Sequence, residues 1–134
     1  MFGALDISTS ALVAQRQRLE VISDNIANQN SLYDEKGNYA PFRRRIALFA
    51  SGDPKSGRPQ GVHVRDIVQD PAPLRAVYEP DHPAADARGY VYYPNVDPAH
   101  EMVNALEAAR AYEANVTAAE ATKSMMQSAL RLLA

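Results

Sequence analysis

The sequence predicts a mainly α protein with a small β insert, in which long N- and C-terminal helices pair as an antiparallel, coiled-coil-like unit. Three observations carry this reading. All nine prolines lie between Pro41 and Pro98, and five of the six glycines lie between Gly37 and Gly89. Proline removes an amide donor and clashes with the preceding turn, so this map divides the chain into helix, Pro/Gly-rich middle and helix. Both proline-free ends repeat apolar residues every seven positions, the period of a helix with a partner helix. Finally, Asp97-Pro98 with Glu101 behind it forms a strong helix start: an N-cap acceptor, a proline where no amide is needed, and an acid in the first turn.

The first helix is expected from about Ser8 to Asn28, with Asp6, Ser8, Thr9 and Ser10 as cap candidates. Leu5, Leu12, Leu19 and Ile26 form its seven-residue stripe, and Ile22 adds to it. Asp24, Asn25, Asn28 and Asn30 then weaken the helix, because short polar side chains compete for backbone hydrogen bonds. The last helix is expected from Pro98 to Leu133, about 54 Å at 1.5 Å per residue. Met102, Ala109, Val116 and Leu130 make one row, interrupted by Lys123; Ala105, Tyr112, Ala119, Met126 and Leu133 make the second.

Residues 1–30 and 96–134 therefore read as one unit of paired helices, and 31–95 as a β-rich insert. Antiparallel pairing would bring Met1 and Ala134 to one end, with the insert projecting from the other. Within the insert, Phe42 to Phe49, Gly61 to Val68, Leu74 to Tyr78 and Tyr90 to Tyr93 are strand candidates, and Ser51 to Pro59 reads as an exposed loop.

Composition narrows the function. The hydrophobic share is that of a globular domain, but much of it is alanine and little is aromatic, so the core available per residue is thin. Partner subunits commonly supply what such a core lacks. A net charge of −2 provides no electrostatic footprint for nucleic acid or an anionic membrane. The absence of cysteine removes disulfides and thiolate chemistry. No segment reads as a cleavable signal peptide or approaches the roughly 20 apolar residues that span a bilayer.

No catalytic, cofactor or metal site emerges. His63, His82 and His100 are scattered without ligand spacing. Asp81, His82 and Asp86 sit among Pro80 and Pro83, where a turn with a capping aspartate is favoured over a metal site. Arg43-Arg44-Arg45 reads as ion-pair or interface residues, because a strand points successive side chains to opposite faces. Tyr90, Tyr92 and Tyr93 read as packing or interface residues.

The motifs also resemble a known family. Ser10-Ala11-Leu12 and the run from Gln15 to Asn30, with Asn-Ile-Ala-Asn at Asn25 to Asn28, resemble the N-terminal segment of bacterial flagellar rod and hook proteins. Tyr39 to Arg45, Gly89-Tyr90-Val91, Tyr93 to Pro98, Ala109 to Val116 and Ala121 to Met126 are similar, in the same order, to motifs of the proximal-rod branch of that family. The chain departs from the pattern at Gln29-Asn30-Ser31, where a threonine is usual, and in the loop Ser51 to Gln60.

The resemblance implies a structural, non-enzymatic rod subunit of the flagellar basal body with no cofactor, exported through the flagellar type III apparatus without a cleaved signal. It further implies partners among copies of itself and other rod proteins, helical polymerisation around the export channel, and torque transmission. Nucleic-acid binding and membrane insertion are not expected. On this reading Leu12, Leu19, Ile22, Ile26, Val116, Met126 and Leu130 are the expected assembly contacts. A cytoplasmic coiled-coil adaptor or export chaperone is the alternative.

Overall fold

The computed structural model of the chain describes residues 2–134. Helix α1 spans Phe2–Ala27 and α2 spans Pro98–Leu133, with four short strands between them: β1 Arg45–Ser51, β2 Val62–Gln69, β3 Arg75–Tyr78 and β4 Tyr90–Tyr93. The insert is two separate antiparallel hairpins, β1–β2 and β3–β4.

α1 begins six residues earlier than expected. All four cap candidates lie inside the helix, and one of them does something else: the Ser10 hydroxyl donates to the Ile7 carbonyl (2.7 Å) and accepts from the Val62 amide (3.1 Å). Ser10 thus ties the side of the helix to β2. The far end closes as the polar run suggests, with the Asn28 carboxamide donating to the Asp24 carbonyl (2.9 Å) and the Ser31 hydroxyl donating to Asn28 Oδ1 (3.0 Å). α2 starts where the cap signal puts it, with the Asp97 carboxylate accepting from the Ala99 amide at 3.0 Å and Pro98 in the first turn.

α1 packs against α2, β1 and β2. Asn25 of α1 reaches Glu101 of α2, and Arg18 reaches Glu107, so moving back along α1 moves forward along α2. The helices run antiparallel. With the same rise in both, this register carries the last turns of α2, from about Met125, past Phe2 at the start of α1. The expected meeting of Met1 with Ala134 lies outside the described residues, because Met1 is not among them.

The face that α2 turns toward the rest of the chain differs by one position from the expected row. Glu101, Ala108 and Thr122 are buried, and Asn115 and Ala129, on the same seven-residue row, are half-buried. Met102 and Leu130 are exposed, while Ala109 and Val116 are only half-buried. One residue corresponds to a turn of about 100° around the helix. Glu101 supplies the cause, because its polar partners draw it inward and set the rotation. In the second row, Ala105, Ala119 and Met126 are half-buried as expected, whereas Tyr112 and Leu133 are exposed.

β1 starts three residues later than expected. The Phe42 amide donates to the Ser31 carbonyl (3.0 Å) and the Arg44 amide to Asn95 Oδ1 (2.8 Å), so these groups are satisfied outside the ladder. The β1–β2 register runs from Arg45 opposite Gln69 to Ser51 opposite Val62, with an irregularity between Leu48 and Phe49 that leaves Arg65 without a partner position.

This hairpin does not project from the far end of the helix pair. It folds back along α1: β1 begins where Arg45 meets Asn25, and the hairpin tip returns to Ser10. Fifteen helical steps, about 22 Å, and six strand steps, about 20 Å, cover similar lengths, so the two elements match along their contact. Gly61 permits the approach at the tip: its φ is +91°, and a Cβ there would stand 2.8 Å from Ser10 Oγ. The β3–β4 hairpin is held through loops. Tyr39 Oη donates to the Tyr92 carbonyl (2.7 Å) and accepts from the Tyr92 amide (3.1 Å), closing that edge of the strand.

Candidate assembly site

Two features of the molecule bear on assembly: a buried polar junction that joins the ends of the chain to the insert, and apolar helix surface left uncovered.

The junction forms where α1 ends, β1 begins and α2 starts. Glu101 is fully buried although it is charged. Its carboxylate accepts from Arg44 Nε, and Asn25 Nδ2 donates to its second oxygen at 3.4 Å. Arg44 also pairs with Asp70 at 3.1 Å. Asn25 is itself buried and clamps the first residue of β1, accepting from the Arg45 amide and donating to the Arg45 carbonyl, both at 2.9 Å. Asn95 performs a similar task from the segment before α2, accepting from the Arg44 amide (2.8 Å) and donating to the Ala72 carbonyl (3.0 Å). A buried charge needs such partners, because removing it from water is costly unless it is paired and hydrogen-bonded.

The electrostatics follow from this geometry. Burial works against the Arg44 charge, but the bonds and charges of Glu101 and Asp70 outweigh it and raise the guanidinium above its ordinary value. The Ala72 amide, opposed by partial burial and aided by Arg44, holds the Asp70 carboxyl below the usual carboxylate range.

Of the arginine run only Arg44 forms an ion pair among the described residues. Arg43 donates to the Ala72 carbonyl (3.2 Å), Arg44 carries the junction, and Arg45 lies over the Phe42 ring at 5.4 Å. The tyrosines pack as expected: Tyr93 Oη donates to Glu79 (2.9 Å), and Tyr78 and Tyr90 meet edge to face. In the Asp81–His82 turn, the acceptors are His82 Nδ1, for the Ala84 amide, and Asp86, for the Arg88 and Tyr90 amides. Among the described residues no three His, Asp or Glu side chains gather as a metal site would require.

The expected assembly residues fall into three groups. Ile22 is buried inside the chain, so its side chain is already covered. Leu12, Leu19, Ile26, Val116 and Met126 are half-buried. Leu130 is 65% exposed, and it has company: Met102, Val103, Leu106, Met125 and Leu132 on the same helix are also exposed. Sequence reasoning missed the junction. Its signals were present, in an acid one turn into α2, an asparagine on the inner face of α1 and a triple arginine, but no local pattern connects them.

Comparisons with known proteins fit this layout. Residues 5–31 match the family model described as flagella basal body rod protein, and residues 87–132 match that of the flagellar basal body rod FlgEFG protein C-terminal. The two matches cover most of α1 and α2 and include Asn25, Asn95 and Glu101, whereas Arg44 and Asp70 lie between them. The chain is 43% identical to the flagellar basal-body rod protein FlgC of Yersinia enterocolitica, covering 98% of this chain and 97% of that protein. Identity is 42% to FlgC of Escherichia coli O157:H7 and 40% to that of Bacillus subtilis strain 168, with the same coverage of both chains. On this near-complete likeness, the chain belongs to the FlgC family of flagellar basal-body rod proteins.

Proposed function

We propose that this chain is a structural subunit of the flagellar basal-body rod, in the proximal part, and polymerises helically into the shaft that transmits torque around the export channel. The observation that carries the assembly reading is the uncovered apolar surface of α2. Among the described residues the buried apolar set includes Ala14, Ala108, Val21, Ile22 and Val91, whereas Met102, Leu106, Met125, Leu130 and Leu132 remain exposed. A helix that buries alanine and presents leucine and methionine has its larger apolar gain still to make. Coiled-coil-like packing against helices of neighbouring subunits would make it, and head-to-tail contacts that do not close would extend it into a helical array.

On this reading residues 1–30 and 96–134 form the inner layer and 31–95 the outer one. Leu12, Leu19, Ile26, Val116, Met126 and Leu130 contribute the contacts between subunits, joined by the exposed leucine and methionine residues of the α2 overhang. Export through the flagellar type III apparatus without a cleaved signal completes the proposal. No helix of the described residues is long and apolar enough to cross a membrane. The family's role is structural, which leaves no reaction for the chain to catalyse.

Fractionation tests the proposal against a soluble adaptor or export chaperone. A tagged chain expressed at native level is expected to co-purify with detergent-extracted basal bodies, with its N-terminal residues intact by mass spectrometry. Recovery confined to the soluble cytoplasmic fraction would overturn it.

A further inference from the structure

The contact between the helices has little in it that selects one alignment. On the α2 side the inward row is Ala108, Asn115, Thr122 and Ala129 once Glu101 is passed. Sliding α1 by one heptad would bring it against small side chains of α2 again. On α1, three residues before Arg18, the Gln15 carboxamide oxygen is buried without a hydrogen-bond partner among the described residues. Such a seam is permissive about register, because registers are fixed by large interlocking side chains or by polar groups that tolerate one partner only.

The junction has that second property. Glu101 is buried and accepts from Asn25 of α1 and Arg44 of the segment entering β1. Arg44 is held in turn by Asp70 and, through its amide, by Asn95. A slip of one heptad would carry Glu101 away from both partners and leave a carboxylate buried without them. The insert is also part of the device, since Arg44 and Asp70 belong to it.

We infer that this junction, and not the apolar seam, sets the register in which α1 and α2 pair, so that docking of the insert is a condition of correct helix pairing. Glu101 and Arg44 are positioning residues in this sense. The helix pair is pinned at the Asn25–Glu101 end, and the α2 overhang lies at the opposite end.

The absence of natural cysteine makes the test clean. Cysteines replacing Arg18 and Glu107, whose long side chains meet at their tips at 3.1 Å, report the native register through a short bifunctional thiol crosslinker that spans the length of those two side chains, and cysteines replacing Arg18 and Ala114 report a slip of one heptad. In the otherwise native chain the first pair should crosslink and the second should not. With Glu101→Ala added, the preference for the native pair is expected to fall by about tenfold or more, the scale on which loss of one buried pair shifts an equilibrium. Glu101→Gln, which keeps the shape and one hydrogen bond, should fall in between.

Thr122→Ala is the control, because Thr122 lies in the same seam with its hydroxyl bonded to its own helix at Ala118. It should retain the native preference. Loss of both crosslinks in Glu101→Ala, with the native one kept in Thr122→Ala, also supports the inference. An undiminished native preference in both Glu101 variants would overturn it, as would an equal loss in Thr122→Ala.

Discussion

Arg44→Leu is expected to destabilise the soluble protein by about 3–5 kcal/mol, the usual consequence of removing one partner of a buried ion pair. The effect is large because of what remains. Glu101 is completely covered, and Asn25 alone would be left to satisfy its carboxylate. Arg44→Lys should recover only part of the loss: a lysine has one point charge where the guanidinium uses separate nitrogens for Glu101 and Asp70. Chemical denaturation followed by far-UV circular dichroism measures both. The exposed pair of Arg18 and Glu107 provides the contrast, since Glu107 is solvent-facing and such pairs contribute little.

The same junction shapes the response to acid. The Asp70 carboxyl is held below the usual range in the folded chain. Its contribution is therefore present above the unfolded value of about 3.9 and disappears as the pH falls through and below it. Arg44 remains charged across that interval. The acid limb of the stability curve should be shallower in Arg44→Leu than in the native chain. An Arg44→Leu protein as stable as the native one, with an unchanged acid limb, would remove the junction from the account.

Leu130→Glu is expected to leave the isolated protein unaltered and to abolish motility. At 65% exposure Leu130 loses little in the monomer, and surface substitutions of this kind usually stay within about 0.5 kcal/mol of the parent. In an assembled rod the same position would place a carboxylate against a neighbour's apolar helix, where burial without a partner is costly. Swimming assays and recovery of the variant in basal bodies should both fail while its melting curve matches the native one. Full motility would exclude Leu130 from the contacts between subunits. Ile22→Glu makes the opposite comparison, since it should fail earlier, by unfolding, because Ile22 is buried within the chain.

How far the sequence revealed this molecule depended on whether the determining forces were local. The start of α2 was legible to the residue, since Asp97, Pro98 and Glu101 act within one turn. The strand β4 was equally plain from Tyr90-Val91-Tyr92-Tyr93. The inward row of α2 was not, and the error was one residue. Hydrophobic spacing favoured Met102 and Leu130, whereas the helix turns Glu101 inward to meet Arg44, which is 57 residues away in the chain. The hairpin's path along α1 was hidden for the same reason: it depends on Ser10 receiving the Val62 amide, a contact across 52 residues. The motifs did better than the periodicity, because Asn25, which sequence rules score as a helix-weakening residue, is the clamp on β1.

The central claim is that the helix surface left bare in the free chain is the surface covered in the rod. Thiol labelling of a Leu130→Cys variant measures this most directly, since the chain has no other cysteine. The soluble protein should react with a maleimide as fast as a free thiol, and the same residue in purified basal bodies should be protected. Equally fast labelling of Cys-substituted subunits shown to be incorporated in the rod would contradict it.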